Sequence, residues 1–105
     1  MREFSIYCGL DTNGLAVDAR QLALDIAAKH FPNGHSINEI VGRWQVADGS
    51  VITEQTIVIT WLSDGAESQL TADRDRVSQC AADYKHAANQ EAVMITCKEV
   101  DAVFV

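Results

Sequence analysis

The sequence predicts an α+β fold of the ferredoxin-like type, a βαββαβ sandwich in which two helices cover one face of a four-stranded antiparallel sheet. Three observations predict it. Strand and helix patterns alternate in that order, an Asp48-Gly49 hairpin signal joins two β-rich segments, and repeats and long linkers are absent. With 105 residues, 48% of them hydrophobic, we predict a single ferredoxin-like domain spanning residues 1–105.

The first third of the chain predicts one strand and one helix. Residues 3–9 alternate apolar and polar side chains, which is the period of a half-buried strand. Asp18, with Gln21 three residues later, favours a helix start, and the segment FPNG at 31–34 ends that helix. Apolar residues cover most of the helix surface, so we expect it to contact more than one neighbouring element.

The remaining chain predicts a hairpin, a second helix and a last strand. The β-rich segments 37–47 and 52–62 flank the Asp-Gly turn. Asp64 followed by Glu67 favours a helix start at that point, and residues 91–97 alternate as a strand. Residues 100–105 either extend that strand or form an extra C-terminal one.

The sheet face without helices is predicted to be an interaction surface. It would be too apolar to face only water, and large exposed apolar patches usually mark interaction sites. We therefore predict that it pairs with a second copy, as a homodimer, or with another partner. The residues predicted on this open face are Tyr7, Val41, Arg43, Val58, Thr60, Leu62, Met94 and Thr96.

The charge balance limits the kinds of partner. Fifteen acidic and eight basic residues give a net charge of -7. Direct nucleic-acid binding is disfavoured because it depends on Lys and Arg neutralising phosphates, whereas a basic protein partner would be attracted. No apolar segment reaches the length of a signal peptide or a membrane span, which predicts a cytoplasmic protein without membrane contact.

Cysteines and histidines do not predict a metal site or a cofactor. Cys8, Cys80 and Cys97 contain no CxxC pair, and an odd number argues against a disulfide framework, so we interpret them as small apolar fillers. If Cys8 and Cys97 lay on neighbouring strands they could come close together. His30 and His35 match only half of a Cys2His2 pattern. We place His30 at a helix C-terminus, where the dipole favours positive charge, and His35 in a polar loop.

Sequence motifs for catalysis are also missing. The chain has no GxSxG, no phosphate-binding loop and no glycine-rich dinucleotide turn, so the candidate residues are assigned to binding. Arg43 and Glu54 are predicted to face each other across the hairpin as an ion pair. Alternatively, Arg43 lies on the open face with Tyr7 and anchors an anion. Trp44 and Trp61 are predicted in the core. The candidate binding residues are Tyr7, His35, Arg43, Trp44, Glu54 and Glu91.

Several short motifs, in order, resemble those of a known family. They are Tyr7-x-Gly9-Leu10, Phe31-Pro32-x-Gly34, Gly42-x-Trp44 leading through Asp48-Gly49 to Glu54, Tyr84, and Asn89-Gln90-Glu91-x-Val93. The chain resembles small bacterial and phage or plasmid proteins that form a domain-of-unknown-function family. The resemblance implies a ferredoxin-like fold and supplies no activity or catalytic residues. This copy lacks the secretion or lipoprotein leader of many relatives, which argues against an extracytoplasmic role.

Three functional hypotheses follow. The preferred one is a small acidic, non-enzymatic binding module acting through protein-protein contacts, as a phage or plasmid accessory or inhibitor protein. The first alternative is a sensor or sponge that holds a small molecule. The second is an enzyme of the dimeric α+β-barrel kind, with His35, Tyr7 and Glu91 as acid-base groups.

Overall fold

The computed structural model describes residues 1–105 and confirms the predicted ferredoxin-like α+β fold. Four strands and two α-helices follow one another in the order βαββαβ. A short 3-10 helix at Glu67–Gln69 precedes the second α-helix. The bounds are β1 Arg2–Gly9, α1 Ala19–His30, β2 Ser36–Gln45, β3 Val51–Ser63, α2 Leu70–Ala87 and β4 Met94–Glu99.

Strand β1 lies inside the sheet, whose order is β2-β3-β1-β4. It pairs antiparallel with β3 from Arg2 opposite Ser63 to Gly9 opposite Thr56, and antiparallel with β4 on its other side. The predicted hairpin joins β2 to β3. Its turn closes through a 3.0 Å bond from the Val46 amide to the Ser50 carbonyl.

The core lies between one sheet face and the two helices. Alternate residues of β1 and β3 point toward the helices, and small alanines on α1 let that helix approach closely. Each large apolar side chain buried in this way contributes about 1.5–3 kcal/mol. The buried core residues include Phe4, Ile6, Cys8, Ala23, Ala27, Ile57, Ile59, Val77, Cys80 and Tyr84.

The start of α1 agrees with the prediction from the sequence, whereas the start of α2 does not. The Asp18 carboxylate accepts a 3.1 Å hydrogen bond from the Gln21 amide and so caps α1 as predicted. The predicted capping by Asp64 is wrong, because its Oδ1 accepts from the Ala66 amide at 2.9 Å and forms a separate turn. Helix α2 begins later, at Leu70, without a side-chain cap.

The β2-β3 hairpin carries a segment, residues 40–53, that we call the hairpin arm. The molecule measures 44 Å along its longest axis and 28 and 27 Å in the other directions. Both faces of the hairpin arm are exposed, with Val41 63% and Trp44 47% exposed. Since neither face is buried by a helix, apolar residues on this arm do not indicate the direction of the core.

The register corrects four predictions for the hairpin arm. Arg43 and Val41 pair with Thr53 and Gln55 and lie on the helix side of the sheet, not on the open face. Trp44 lies on the open face instead of in the core. Glu54 pairs with Gly42, so it and Arg43 point to opposite faces and form no ion pair. The reason is the two-residue period of a strand, in which an offset of one residue moves every side chain to the other face.

The cysteine prediction is confirmed for two residues and wrong for the third. Cys8 and Cys80 are buried, and loss of solvent contact raises the pKa of each thiol to about 12. Cys97 is exposed on β4 and pairs with Phe4 rather than Cys8, so the two thiols are not neighbours across strands.

Residues 100–105 form no additional strand, and the Val100 amide donates to the Met1 carbonyl at 2.8 Å. None of the helices has the length and apolar character needed to cross a membrane.

We predict a small pH dependence from the contact between the two helices. His30 Nε2 lies 2.6 Å from Asp83 Oδ2, and this hydrogen bond, with nearby Lys29, lowers the pKa of Asp83. A lowered folded-state pKa stabilises the fold above the unfolded value of about 3.9, and this contribution is lost as the pH falls through the folded value. Asp83→Asn should therefore cost less than about 1 kcal/mol near neutral pH, since the carboxylate is half exposed.

Urea unfolding of wild type and Asp83→Asn across the acidic range measures this contribution. The difference between the two proteins should vanish at the acidic end. A difference that stayed constant with pH would contradict the assignment.

Candidate functional site at the end of β1

Residues from four separate parts of the chain meet at the C-terminal end of β1. Gly9, Glu54, Tyr84 and Gln90 form this group, which we call the Gly9 cluster. The Tyr84 hydroxyl donates to the Gly9 carbonyl. Gln90 Nε2 donates to the carbonyls of Asp11 at 2.6 Å and Ala88 at 3.0 Å. These bonds fix the exit of β1 against the segment that follows α2.

The carboxylate of Glu54 lies over Gly9. Its Oε1 accepts a 3.2 Å hydrogen bond from the Asp11 amide. A Cβ at position 9 would overlap that carboxylate and would lie 3.0 Å from Gln90 Oε1. The absence of a side chain at Gly9 therefore makes the space that the Glu54 carboxylate occupies.

The indole of Trp44 lies over a second glycine, on the other side of Glu54. Gly42 pairs with Glu54 across β2 and β3, and a Cβ there would lie 3.0 Å from the indole Cζ2. Trp44 is nevertheless 47% exposed. The open sheet face therefore presents an exposed indole and a carboxylate on neighbouring strands, each placed over backbone that carries no side chain.

Glu54 has no cationic partner in the protein. Its one hydrogen bond is with the Asp11 amide, and it forms no ion pair. The Tyr84 pKa is raised by burial first, and then by the charges of Cys8 and Glu54. A carboxylate with free acceptor positions beside an exposed aromatic ring is suited to hydroxyl donors or to a cationic aromatic ligand.

Two loops border the Gly9 cluster and are tied to each other. Asn13 Nδ2 donates to the Asn89 carbonyl at 2.9 Å, and Asn89 Nδ2 donates to the Thr12 carbonyl at 3.1 Å. Both asparagines adopt positive φ, 52° and 54°, which asparagine tolerates better than most residues. The loop after β1 is thus held against the turn after α2, which orders the border of the site before any ligand arrives.

The family model for "Protein of unknown function (DUF3574)" matches residues 6–104. The chain belongs to this family. Membership confirms the expected domain-of-unknown-function family. No curated protein matches this DUF3574 chain.

Two solved structures of a phage SAM lyase resemble the DUF3574 chain in fold. One is in complex with S-methyl-5'-thioadenosine, with 17% identity, a TM-score of 0.67, and coverage of 93% of this chain and 80% of the lyase chain. The other is in the apo state, with 15% identity, a TM-score of 0.67, and coverage of 92% and 78%. At such identities the similarity shows a shared fold.

This similarity contradicts the preferred hypothesis of a non-enzymatic binding module, because the structures that the DUF3574 chain resembles are those of an enzyme. The error came from interpreting missing linear motifs as missing chemistry. A ferredoxin-like sheet can assemble a site from residues far apart in sequence, and such a site leaves no short motif.

The structure brings together some of the predicted site residues and separates others. Tyr7, Trp44 and Glu54 share the open face, and Glu91 is exposed in the segment before β4. His35 lies in the loop immediately before β2, as predicted, and its Nδ1 is 2.9 Å from the Phe31 carbonyl oxygen. The three suggested acid-base groups His35, Tyr7 and Glu91 therefore do not form one cluster.

Sequence reasoning did not assign roles to Gly9, Tyr84 and Gln90. All three occur in the motifs that carried the family resemblance, which was the available signal. Their roles depend on contacts between distant segments, such as the bond from the Tyr84 hydroxyl to the Gly9 carbonyl. No group of three or more His, Cys, Asp or Glu side chains is placed to hold a metal ion.

Proposed function

We propose that this DUF3574 chain is an enzyme that cleaves S-adenosylmethionine (SAM) and releases S-methyl-5'-thioadenosine. The observation that carries the proposal is the Glu54 carboxylate, free of any cationic partner, next to the exposed Trp44 indole. The fold similarity to a SAM lyase, with a TM-score of 0.67 over 93% of the chain, supports the same substrate class.

The chemistry of SAM suits this surface. Its adenine ring can stack on an indole, and its ribose carries two hydroxyl donors that a carboxylate can accept. Its sulfonium adds a positive charge, which a protein of net charge -7 attracts. Trp44 therefore binds the base, and Glu54 binds the ribose.

The charge change during the reaction assigns Glu54 to binding and orientation. S-Methyl-5'-thioadenosine keeps the sulfur, its methyl group and the adenosyl group of SAM, so the bond that breaks joins sulfur to Cγ of the amino-acid part. The bonding electrons go to sulfur, and the sulfonium charge disappears. A carboxylate touching sulfur would stabilise the substrate more than the transition state and would slow the reaction.

Apolar surroundings, by contrast, favour a step in which opposite charges disappear. Ile40 and Ile52 lie on the open face near Trp44, 40% and 48% exposed, and supply such surroundings. At Cγ, either the substrate's own carboxylate oxygen forms the new bond, giving a lactone, or a proton leaves Cβ, giving an alkene. The first route needs no base from the protein and is the one we propose.

Incubation of the purified chain with SAM, followed by mass spectrometry of the products, tests the proposal. S-Methyl-5'-thioadenosine should form at a rate proportional to protein concentration and above that in heat-denatured protein, because SAM also decomposes spontaneously. The four-carbon product identifies the route. If the chain binds S-methyl-5'-thioadenosine but does not cleave SAM, the enzyme proposal is wrong and the small-molecule sponge is favoured. If the chain neither cleaves SAM nor binds S-methyl-5'-thioadenosine, the proposed substrate class is wrong.

A Gly9→Ala variant should lose SAM binding more than stability. The added Cβ overlaps the Glu54 carboxylate, which is the flexible end of a side chain and can move away. Moving it breaks the bond to the Asp11 amide, worth about 0.5–1.5 kcal/mol, and misplaces the ribose acceptor. We expect a melting temperature lower by several degrees and a KM higher by about tenfold or more.

Thermal unfolding and steady-state kinetics measure these two effects. Gly42→Ala disturbs the other half of the site, because its Cβ meets the Trp44 indole that binds the base rather than the Glu54 carboxylate, and it should also raise KM. Unchanged KM in Gly9→Ala would contradict the role of the Gly9 cluster.

Self-association, a basic protein partner and a cytoplasmic location stay predictions. Met94, at 47% exposed, adds to the apolar surface that Trp44 and its neighbours present on the open face. Native mass spectrometry of the purified chain decides whether it self-associates.

A further inference from the structure

A cavity of about 360 Å³ lies at the other end of the sheet from the Gly9 cluster. It is bordered by the end of α1, the end of β3 and the first half of α2. Ser63 at this end pairs with Arg2, whereas Thr56 pairs with Gly9. Seven residues of strand separate the two places, a distance of roughly 23 Å at about 3.3 Å per residue.

Arg76 is held in this cavity with most of its donors unused. Its guanidinium lies 4.9 Å from the Trp61 ring centroid and 5.4 Å from that of Phe31. Its Nε donates to the His30 carbonyl at 2.8 Å, whereas its two Nη atoms form neither a hydrogen bond nor an ion pair with the protein. Three contacts therefore orient a guanidinium whose Nη groups remain available to a ligand.

Asp73 supplies a negative group one helical turn before Arg76. It lines the same cavity and is only 9% exposed, and its Oδ2 is buried without a hydrogen-bond partner. The nearest cation is Arg2, whose Nη1 lies 3.7 Å from that oxygen. Asp73 and Arg76 form no ion pair with each other, so the cavity contains separate positive and negative groups.

We propose that this cavity binds a zwitterionic α-amino acid with an apolar side chain. Arg76 would bind the carboxylate through its Nη groups, and Asp73 would bind the ammonium group through Oδ1, since Oδ2 is buried beside Arg2. The apolar side chain would lie against Trp61 and Phe31. The volume is near the lower end of the roughly 300–1,000 Å³ range of small-molecule pockets, which fits an amino acid better than a nucleotide. This inference uses none of the residues of the Gly9 cluster.

The test uses L-leucine, which is not a fragment of SAM, so this proposal and the SAM proposal can fail independently. The chain has two tryptophans, and in a Trp44→Phe variant Trp61 alone reports on the cavity. We expect a saturable change in its fluorescence with a Kd below about 10 mM. Arg76→Gln should raise that Kd by about tenfold or more, because charged hydrogen bonds to the carboxylate are lost.

Arg74→Gln is the matched control, since Arg74 is an exposed arginine on the same helix, and its Kd should equal that of the parent. Two probes that lack one charge, 4-methylpentanoate and isoamylamine, test the same point without a protein variant. Each should bind at least about tenfold more weakly than L-leucine. No saturable change with L-leucine, or equal binding of either one-charge probe, would overturn the proposal.

Discussion

Replacement of Glu54 by glutamine is expected to lower kcat/KM for SAM cleavage by about 10- to 100-fold. Glutamine has nearly the same shape and keeps a carbonyl oxygen that can accept from the Asp11 amide, the present 3.2 Å partner of Glu54. It loses the negative charge that strengthens hydrogen bonds from the ribose hydroxyls. The main change should be in KM, because Glu54 binds and orients the substrate.

Steady-state formation of S-methyl-5'-thioadenosine at several SAM concentrations separates KM from kcat. Glu3→Gln is the matched control, because Glu3 is a carboxylate on the same open face but at the far end, 3.6 Å from Lys98 Nζ. It should leave kcat/KM unchanged. Equal loss in both variants would show a general effect of net charge and contradict a specific role of Glu54.

Replacement of Arg2 by methionine is expected to lower the free energy of unfolding by about 3–5 kcal/mol. The Arg2 side chain is only 4% exposed and lies within 3.7 Å of carboxylate oxygens from both Asp73 and Glu99. It also donates to the carbonyls of Gly65 and Ala66 at 3.2 and 3.3 Å. Without the guanidinium, the buried Asp73 Oδ2 loses its one neighbouring cation.

Thermal unfolding should show a decrease of about 12 °C or more for Arg2→Met, since 1 kcal/mol corresponds to roughly 4–8 °C in a domain of this size. Arg74→Met, on the exposed side of α2, should change the melting temperature by only a few degrees. Adding Asp73→Asn to Arg2→Met should recover part of the loss, because it removes the unpaired charge. No recovery in the double variant would mean that packing of the arginine stem, rather than charge pairing, stabilises this region.

The strands and helices were predictable where one face of an element is buried. β1 alternates because Phe4, Ile6 and Cys8 meet the helices, so its pattern and its structure agree. The hairpin was also predictable, because its Asp-Gly turn depends only on neighbouring residues. Along the hairpin arm the orientation was predicted wrongly, because Val41 and Trp44 point to opposite faces and both are exposed. Without a covering layer, hydrophobicity gives no information about which face is inside.

The candidate site was only partly predictable for a different reason. Glu54 and Trp44 could be chosen because a carboxylate and a tryptophan have obvious chemistry. Gly9 and Gly42 matter because the Glu54 carboxylate and the Trp44 indole lie over them. Those contacts depend on the register of three strands. The role of Gln90 was unpredictable for the same reason, because its bond to the Asp11 carbonyl joins segments far apart in sequence.

The central position of β1 has a consequence for protein synthesis. Strand β1 leaves the ribosome before both of its partners, because it pairs only with β3 and β4, and β4 ends at Glu99. The Gly9 cluster likewise cannot form before Gln90 has been made, so β1 stays unpaired while the segments between it and its partner strands are translated. Such late, long-range pairing slows folding and leaves apolar strands exposed. A chaperone that shields β1 during synthesis would therefore be expected to increase the yield of folded protein.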